Sequence, residues 1–457
     1  MRDFGDVIGP AETRLQQRGI AVVADERGEP VLVRPDSIVV DVLDGEALSR
    51  LRRAVDRRFH PVGKNPEIGA SGLLALRLKL GKGSQSTAAS LSDALARLRK
   101  GGVTASVNHV YLGAPTVIGS PTVIGSPTVI GSPTVIGSPT VIGSPTVIGS
   151  PTVIGSPAAL ITTAAPATAP KVLADPLGVA NRPVVLVLDT GLRTKNGKGR
   201  DAEHPALLAY VATHQPWRDE TDAGAWDDED ELDDDKSGHL DAQAGHGTFI
   251  AGIIRQHCPD AKIQVDGVLS SFGDGDDITV AKGLERAVAR TGGDVDVINL
   301  SLGTFTANDQ PPPLATALDR LVGPDTVVVA AAGNSGLCRP FFPAALPTVV
   351  GVGALDSAGR AWFSNFGGWV DACAPGVGVV STFFFGTTEP LKPKKSQDHA
   401  RFDGWAQWSG TSFSAPKVAA AIAQEMILGG SGAPAAWTRV GDYRRFRYPD
   451  LGVVVNL

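Results

Sequence analysis

Five apolar runs recur through the C-terminal part of the chain: "PVVLVLDTG", "AKIQVDGVL", "VDVINLSLG", "DTVVVAAAGNSG" and "TVVGVGAL". Each is apolar on consecutive rather than alternate residues, as in a strand buried on both faces. Segments with helical spacing lie among them, at 247–257, 277–291 and 313–323. A strand that is apolar on both faces needs both covered, and helices connecting parallel strands provide that cover. Residues from about 177 to 457 therefore predict a doubly wound, mostly parallel α/β domain. Ligands in such a fold sit at the carboxyl ends of the strands.

Two further units precede it. In residues 1–113, strand-like segments at 37–43, 72–80 and 103–113 alternate with helical patterns at 44–59 and 90–100. The order β-α-β-α-β predicts a small α+β domain. Seven identical copies of Pro-Thr-Val-Ile-Gly-Ser then run from Pro115 to Ser156. Their frame fits the hexapeptide of left-handed β-helices, but that architecture needs many stacked turns. A proline in every hexad also removes a backbone donor. Residues 114–176 are read as a repeat linker, expected to be disordered, which leaves 177–457 as the α/β domain.

The charge balance, 42 basic against 48 acidic side chains, gives no reason to expect nucleic acid as a partner. No stretch has the roughly 18 apolar residues of a transmembrane segment. The N-terminus lacks a basic stretch followed by an apolar one, so the expectation is a cytoplasmic default or export by a non-obvious route. Cys258, Cys338 and Cys373 allow one disulfide at most, and whether Cys338 and Cys373 pair stays open.

Three short boxes carry the chemistry. Asp189 ends an apolar strand run, at the rim of the sheet. His246 opens a helical stretch between two glycines. Ser412 stands in "GTSFSAP" before an alanine-rich helix. Alone, each has a plain reading as a turn former, a core histidine or an N-cap. Together they have the composition of an activated serine. A hydroxyl needs an adjacent base to attack at neutral pH, histidine is that base, and a buried carboxylate fixes its tautomer.

The boxes "LDTG", "GHGT" and "GTSFSAP", in the order Asp, His, Ser, resemble those of the subtilisin-like serine peptidases. Lesser boxes fit as well: "AAAGNSG", "NLSLG", "FSNFG" and "APG". The resemblance covers about 280 residues. It implies peptide-bond hydrolysis through an acyl-enzyme, with Ser412 as nucleophile, His246 as proton carrier, Asp189 as its orienter and Asn334 as an oxyanion donor. It also implies an extended polypeptide substrate beside Ser301, Leu302 and Gly303, with Ala331 and Gly333 lining a side-chain pocket. No cofactor is required for that chemistry. The N-terminal block loosely resembles the family's propeptide, an intramolecular inhibitor, so a zymogen cleaved between Gly113 and Asp175 is expected; an unrelated accessory domain is the other reading.

The chain departs from compact members of that family in two places. An acidic insert at 219–241 lengthens the stretch between Asp189 and His246. It reads either as a solvated loop or as a calcium loop, with Asp233, Asp235, Ser237, the His239 carbonyl and Asp241 at EF-hand-like spacing around Gly238. Its twelfth position is Ala244 rather than glutamate. Phe413 follows the serine, where the familiar subtilisins often carry methionine. Two rival functions remain: a non-cleaving protein that holds peptides in the same cleft, and an ester hydrolase. The latter would carry Gly-x-Ser-x-Gly, and the last glycine is missing here.

Overall fold

The computed structural model describes residues 15–60, 62, 68–79, 88–113, 158–159, 182–194, 202–207, 211–212, 230–234, 236–389, 391–392, 400–442 and 444–456. The repeat segment lies outside them, as does Asp235.

Alternation builds the N-terminal unit. Strands β1 (Ala21–Ala24), β2 (Pro30–Asp41), β3 (Leu73–Arg77) and β4 (Ala105–Gly113) form an antiparallel sheet in which β2 pairs with the other three. Val31, Val33, Ile38 and Val40 of β2 pack in one apolar cluster with Leu51, Leu91 and Leu98 of helices α1 (Gly45–Ala54) and α2 (Ala88–Lys100). Asp44 caps α1 by accepting from Ala47 N–H at 2.6 Å. The sequence pattern predicts this helix as far as residue 59, but it stops at Ala54. Phe59 is buried and bridges Leu78, so burial of that ring overrides the local helical preference.

The C-terminal unit is the doubly wound sheet. Its strands are β6 (Val184–Asp189), β7 (Val211–Ala212), β8 (Lys262–Gly267), β10 (Val297–Leu300), β12 (Val327–Ala331), β13 (Val349–Leu355), β14 (Ala372–Pro375), β17 (Arg447–Tyr448) and β18 (Gly452–Val454). They lie in the order 17-18-14-13-12-10-6-8-7, all parallel except the terminal β17–β18 pair. Successive side chains point to opposite faces. Val185 and Val187 accordingly pack with helices α3 (His246–His257) and α6 (Ala415–Gly429), while Leu186 and Leu188 pack with α4 (Asp277–Arg290) and α5 (Pro313–Leu321). This is the physical content of the consecutive apolar runs: one strand serves two cores.

A long hairpin of β15 (Val379–Glu389) and β16 (Ala400–Trp408) packs on the α3 face, and β5 (Ala158–Ala159) pairs with β16 at its edge. Two short strands, β9 (Asp274–Asp276) and β11 (Leu302–Gly303), both pair antiparallel with β4. The N-terminal strand thus lies between two segments of the C-terminal unit. The three cysteines are unpaired, with Cys258 and Cys373 buried and Cys338 exposed. Among the described residues no helix is long and apolar enough to cross a membrane.

Candidate active site

Asp189 is the last residue of β6, at the carboxyl end of the sheet, and its carboxylate is fully buried. Its Oδ1 accepts from Thr190 N–H at 2.8 Å and lies 2.6 Å from His246 Nδ1. A carboxylate at Nδ1 assigns the proton to that nitrogen and leaves Nε2 free of one, the tautomer a general base needs. Trp408 and Phe413 enclose the imidazole, each with its ring centroid at 5.4 Å.

The glycines around His246 are steric requirements. Gly245 has φ +83°, and a Cβ there would enter the Phe383 ring. A Cβ on Gly247 would meet the Gly191 carbonyl just beyond β6. The helix start and the strand end therefore approach closely, which brings His246 to Asp189.

A glycine N-cap has no side chain to satisfy the first helical N–H groups. Asp230, from the middle of the acidic insert, does so instead. Its Oδ1 accepts from Gly245 N–H at 2.8 Å and Thr190 Oγ1 at 3.2 Å, and its Oδ2 from Thr248 Oγ1 at 2.9 Å and Thr248 N–H at 3.3 Å. Burial pushes this carboxyl up to about 7, against its hydrogen bonds, and the charge of Asp189 adds to the rise. Asp230 was missed from the sequence, where it looks like one more acid in a solvated run. The signal that could have found it is the glycine N-cap, which calls for an acceptor from elsewhere.

Ser412 sits in a short 3-10 turn, Thr411–Phe413, ahead of α6. Its Oγ donates to the Ser301 carbonyl at 3.2 Å, and Ser301 Oγ returns a bond to the Ser412 carbonyl at 2.9 Å. The Phe413 ring against His246 holds this turn beside the dyad. Asn334 Oδ1 accepts from Thr411 N–H and Thr411 Oγ1, both at 2.9 Å. The donating backbone N–H fixes the amide orientation and turns Nδ2 the other way. That Nδ2 is buried with no hydrogen-bond partner, and it borders the space beside Gly410. A buried, unused donor next to the serine turn is costly unless another acceptor arrives.

The remaining named residues are distributed as follows. Leu302 and Gly303 form β11 and pair with Gly113 and Leu112 of β4. Gly333, at φ +93°, donates its N–H to Thr411 Oγ1 at 3.1 Å. Ala331 packs in the core cluster on the α3–α6 face. In the insert, Asp233 accepts the N–H groups of Ser237 and Gly238 at 2.8 and 2.9 Å, while Asp241 Oδ2 accepts from Asp234 N–H and Ser271 Oγ at 2.7 and 2.6 Å. These carboxylates close a turn, and His239 stands on its exposed side. Among the described residues no three His, Cys, Asp or Glu side chains converge as a metal site.

The parallel sheet thus carries a buried Asp–His pair at its carboxyl edge, with a serine turn and an unpartnered amide beside it. The family model of the Subtilase family matches residues 180–433, and the chain belongs to that family. Subtilisin NAT of Bacillus subtilis subsp. natto is 34% identical over 194 residues, which cover 39% of this chain and 45% of that protein. The thermophilic serine proteinase of Bacillus sp. (strain AK1) is 34% identical over 185 residues, covering 38% and 40%. The chain thus spans less than half the length of these relatives. The crystal structure of fervidolysin from Fervidobacterium pennivorans, described as a keratinolytic enzyme related to subtilisin, shares the fold at TM-score 0.56 and 19% identity. That match covers 92% of this chain and 60% of that one.

Proposed function

We propose that this protein is a serine endopeptidase that hydrolyses polypeptides through an acyl-enzyme. Ser412 Oγ attacks the scissile carbonyl as its proton passes to His246 Nε2. The imidazolium is held and stabilised by Asp189, and the proton is then delivered to the leaving amine. Water repeats the sequence to release the acid. The negative oxygen of the tetrahedral intermediate is received by Asn334 Nδ2. The observation that carries this reading is the buried Asn334 amide, held by Thr411 with its N–H groups unpartnered at the serine turn.

We further propose that the N-terminal unit is an intramolecular inhibitor. Its strand β4 runs between β9 and β11, where an extended substrate would add, and Gly113 N–H donates to the Gly273 carbonyl at 2.7 Å. Arg18 and Arg34 reach across to Asp274 at 2.7 and 2.9 Å, and Arg320 pairs with Asp41 through two bonds of 3.0 and 2.8 Å. The same seated strand also supports the second reading, a protein that holds peptides without cutting them. Calcium in the insert finds no support in the donor set, since the carboxylates of Asp233 and Asp241 accept from backbone and hydroxyl donors; no step is assigned to it.

Intact mass against time for wild type and Ser412→Ala tests both proposals. Shortening of wild type alone, to a fragment beginning between Gly113 and Asp175, is the expected result. If both stay whole and a fluorophosphonate fails to label Ser412, the hydrolase reading is wrong and the binding reading stands.

A further inference from the structure

Among the described residues of the C-terminal unit the carboxylate of Asp277 has one task, the Leu314 N–H at the start of α5, which alone does not use its roughly four acceptor positions. Helix α4 is already capped by Asp276, which accepts from Ile278 and Thr279 N–H at 3.1 and 3.0 Å. Asp277, one residue further on, is fully buried and receives four donors. Tyr111 OH and Leu314 N–H reach Oδ1 at 2.8 and 3.2 Å. His109 N–H and Nδ1 lie 2.8 and 3.0 Å from Oδ2. Three of the four come from β4. Tyr111 is itself fully buried, in the apolar cluster that contains Leu302 and Leu314. His109 and Tyr111 are two residues apart, so they share one face of the strand.

We propose that Asp277 is a specificity residue that selects tyrosine in the substrate at the place Tyr111 occupies, and that β4 carries a built-in copy of the preferred sequence. This rests on the endopeptidase reading, with substrate following β4 along β9 and β11. Once β4 leaves, Asp277 keeps the Leu314 N–H and loses its three donors from β4, which a substrate strand seated in the same place must replace. A buried carboxylate in that state demands donors. Tyrosine supplies one at the end of a flat apolar ring, whereas phenylalanine fills the same volume and leaves Oδ1 one donor short. Sites built to bond a substrate hydroxyl reject the analogue lacking it far more strongly than apolar pockets reject a methylene.

The test uses two internally quenched peptides containing His-Val-Tyr-Leu-Gly-Ala-Ser and its Phe twin, offered to the full chain after incubation. The expected kcat/KM ratio is about ten- to a hundredfold in favour of tyrosine. It should fall towards one in Asp277→Leu, with fluorophosphonate labelling reporting that this variant is folded. Equal cleavage of the two peptides by wild type overturns the proposal while leaving the hydrolase reading intact. A second arm does not depend on catalysis. In the full-length Ser412→Ala protein, Tyr111→Phe should speed hydrogen exchange of residues 109–113 by about tenfold or more, and Asp277→Leu should erase that difference. Unchanged exchange refutes recognition of the hydroxyl. Absence of both cleavage and labelling, with faster exchange, sinks the hydrolase reading alone.

Discussion

Replacing Asp230 by alanine tests whether the dyad depends on a residue from the insert. The substitution deletes a carboxylate that receives four bonds and leaves the N–H groups of Gly245 and Thr248 buried at the start of α3. A buried unsatisfied donor costs about 1–3 kcal/mol, and a lost N-cap costs ~1 kcal/mol. The two hydroxyls can turn to other acceptors, so the expected loss is about 2–5 kcal/mol. In a domain of this size that lowers Tm by ~5–15 °C. The sign of the pH dependence follows from the raised carboxyl. Folded Asp230 titrates near 7 and its unfolded counterpart near 3.8, so between those values the folded chain holds the extra proton. Its contribution is complete below about 4 and declines as pH rises through about 7. The gap between parent and Asp230→Ala should therefore be larger at pH 5 than at pH 8. Thermal melts at both pH values, in a Ser412→Ala background to prevent self-digestion, measure it. In the active background kcat should fall about ten- to a hundredfold as His246 loses its fixed geometry. Melts that coincide at pH 5, or a gap that widens with pH, refute the reasoning.

Three further outcomes are expected. Asn334→Ala should lower kcat by ~10²–10³-fold with little change in KM, a magnitude taken over from subtilisin itself rather than worked from this site; steady-state kinetics decide it. Gly245→Ala should unfold the start of α3, because its Cβ meets Phe383 and its φ is +83°, so both Tm and fluorophosphonate labelling should drop. Asp274 is pulled towards a higher value by burial, but the charges of Arg18 and Arg34 and the Ser270 hydroxyl outweigh this and hold it below the ordinary carboxylate range. The clamp it forms on the N-terminal unit is therefore present above that range and lost as pH falls through the depressed value. The protection of β4 amides against hydrogen exchange in Ser412→Ala, taken relative to the intrinsic rate at each pH, should fall in acid, and protection that rises there would contradict the assignment.

Whatever depends on neighbours in the chain was legible in the sequence. Consecutive apolar runs declared strands that serve two cores, and the glycines either side of His246 were visible, although their contacts with Gly191 and Phe383 were not. The apolar run placed Asp189 at the sheet rim and the glycines placed His246 at the start of a helix, because a strand end and a helix start are local events. What required partners far along the chain was not legible. Asp230 lies 41 residues from Asp189 in a run of acids, and its burial follows from a helix start that lacks its own cap. The end of α1 at Ala54 was decided by a place for Phe59 against Leu78. Asp277 reads locally as one more acid in a helix's first turn, and only strand β4, arriving from 166 residues away in the chain, turns it into a receptor for a phenol. Strand and helix content is governed by short-range periodicity. The buried charges are governed by which surfaces the completed fold brings together, and a carboxylate's partners are not encoded next to it.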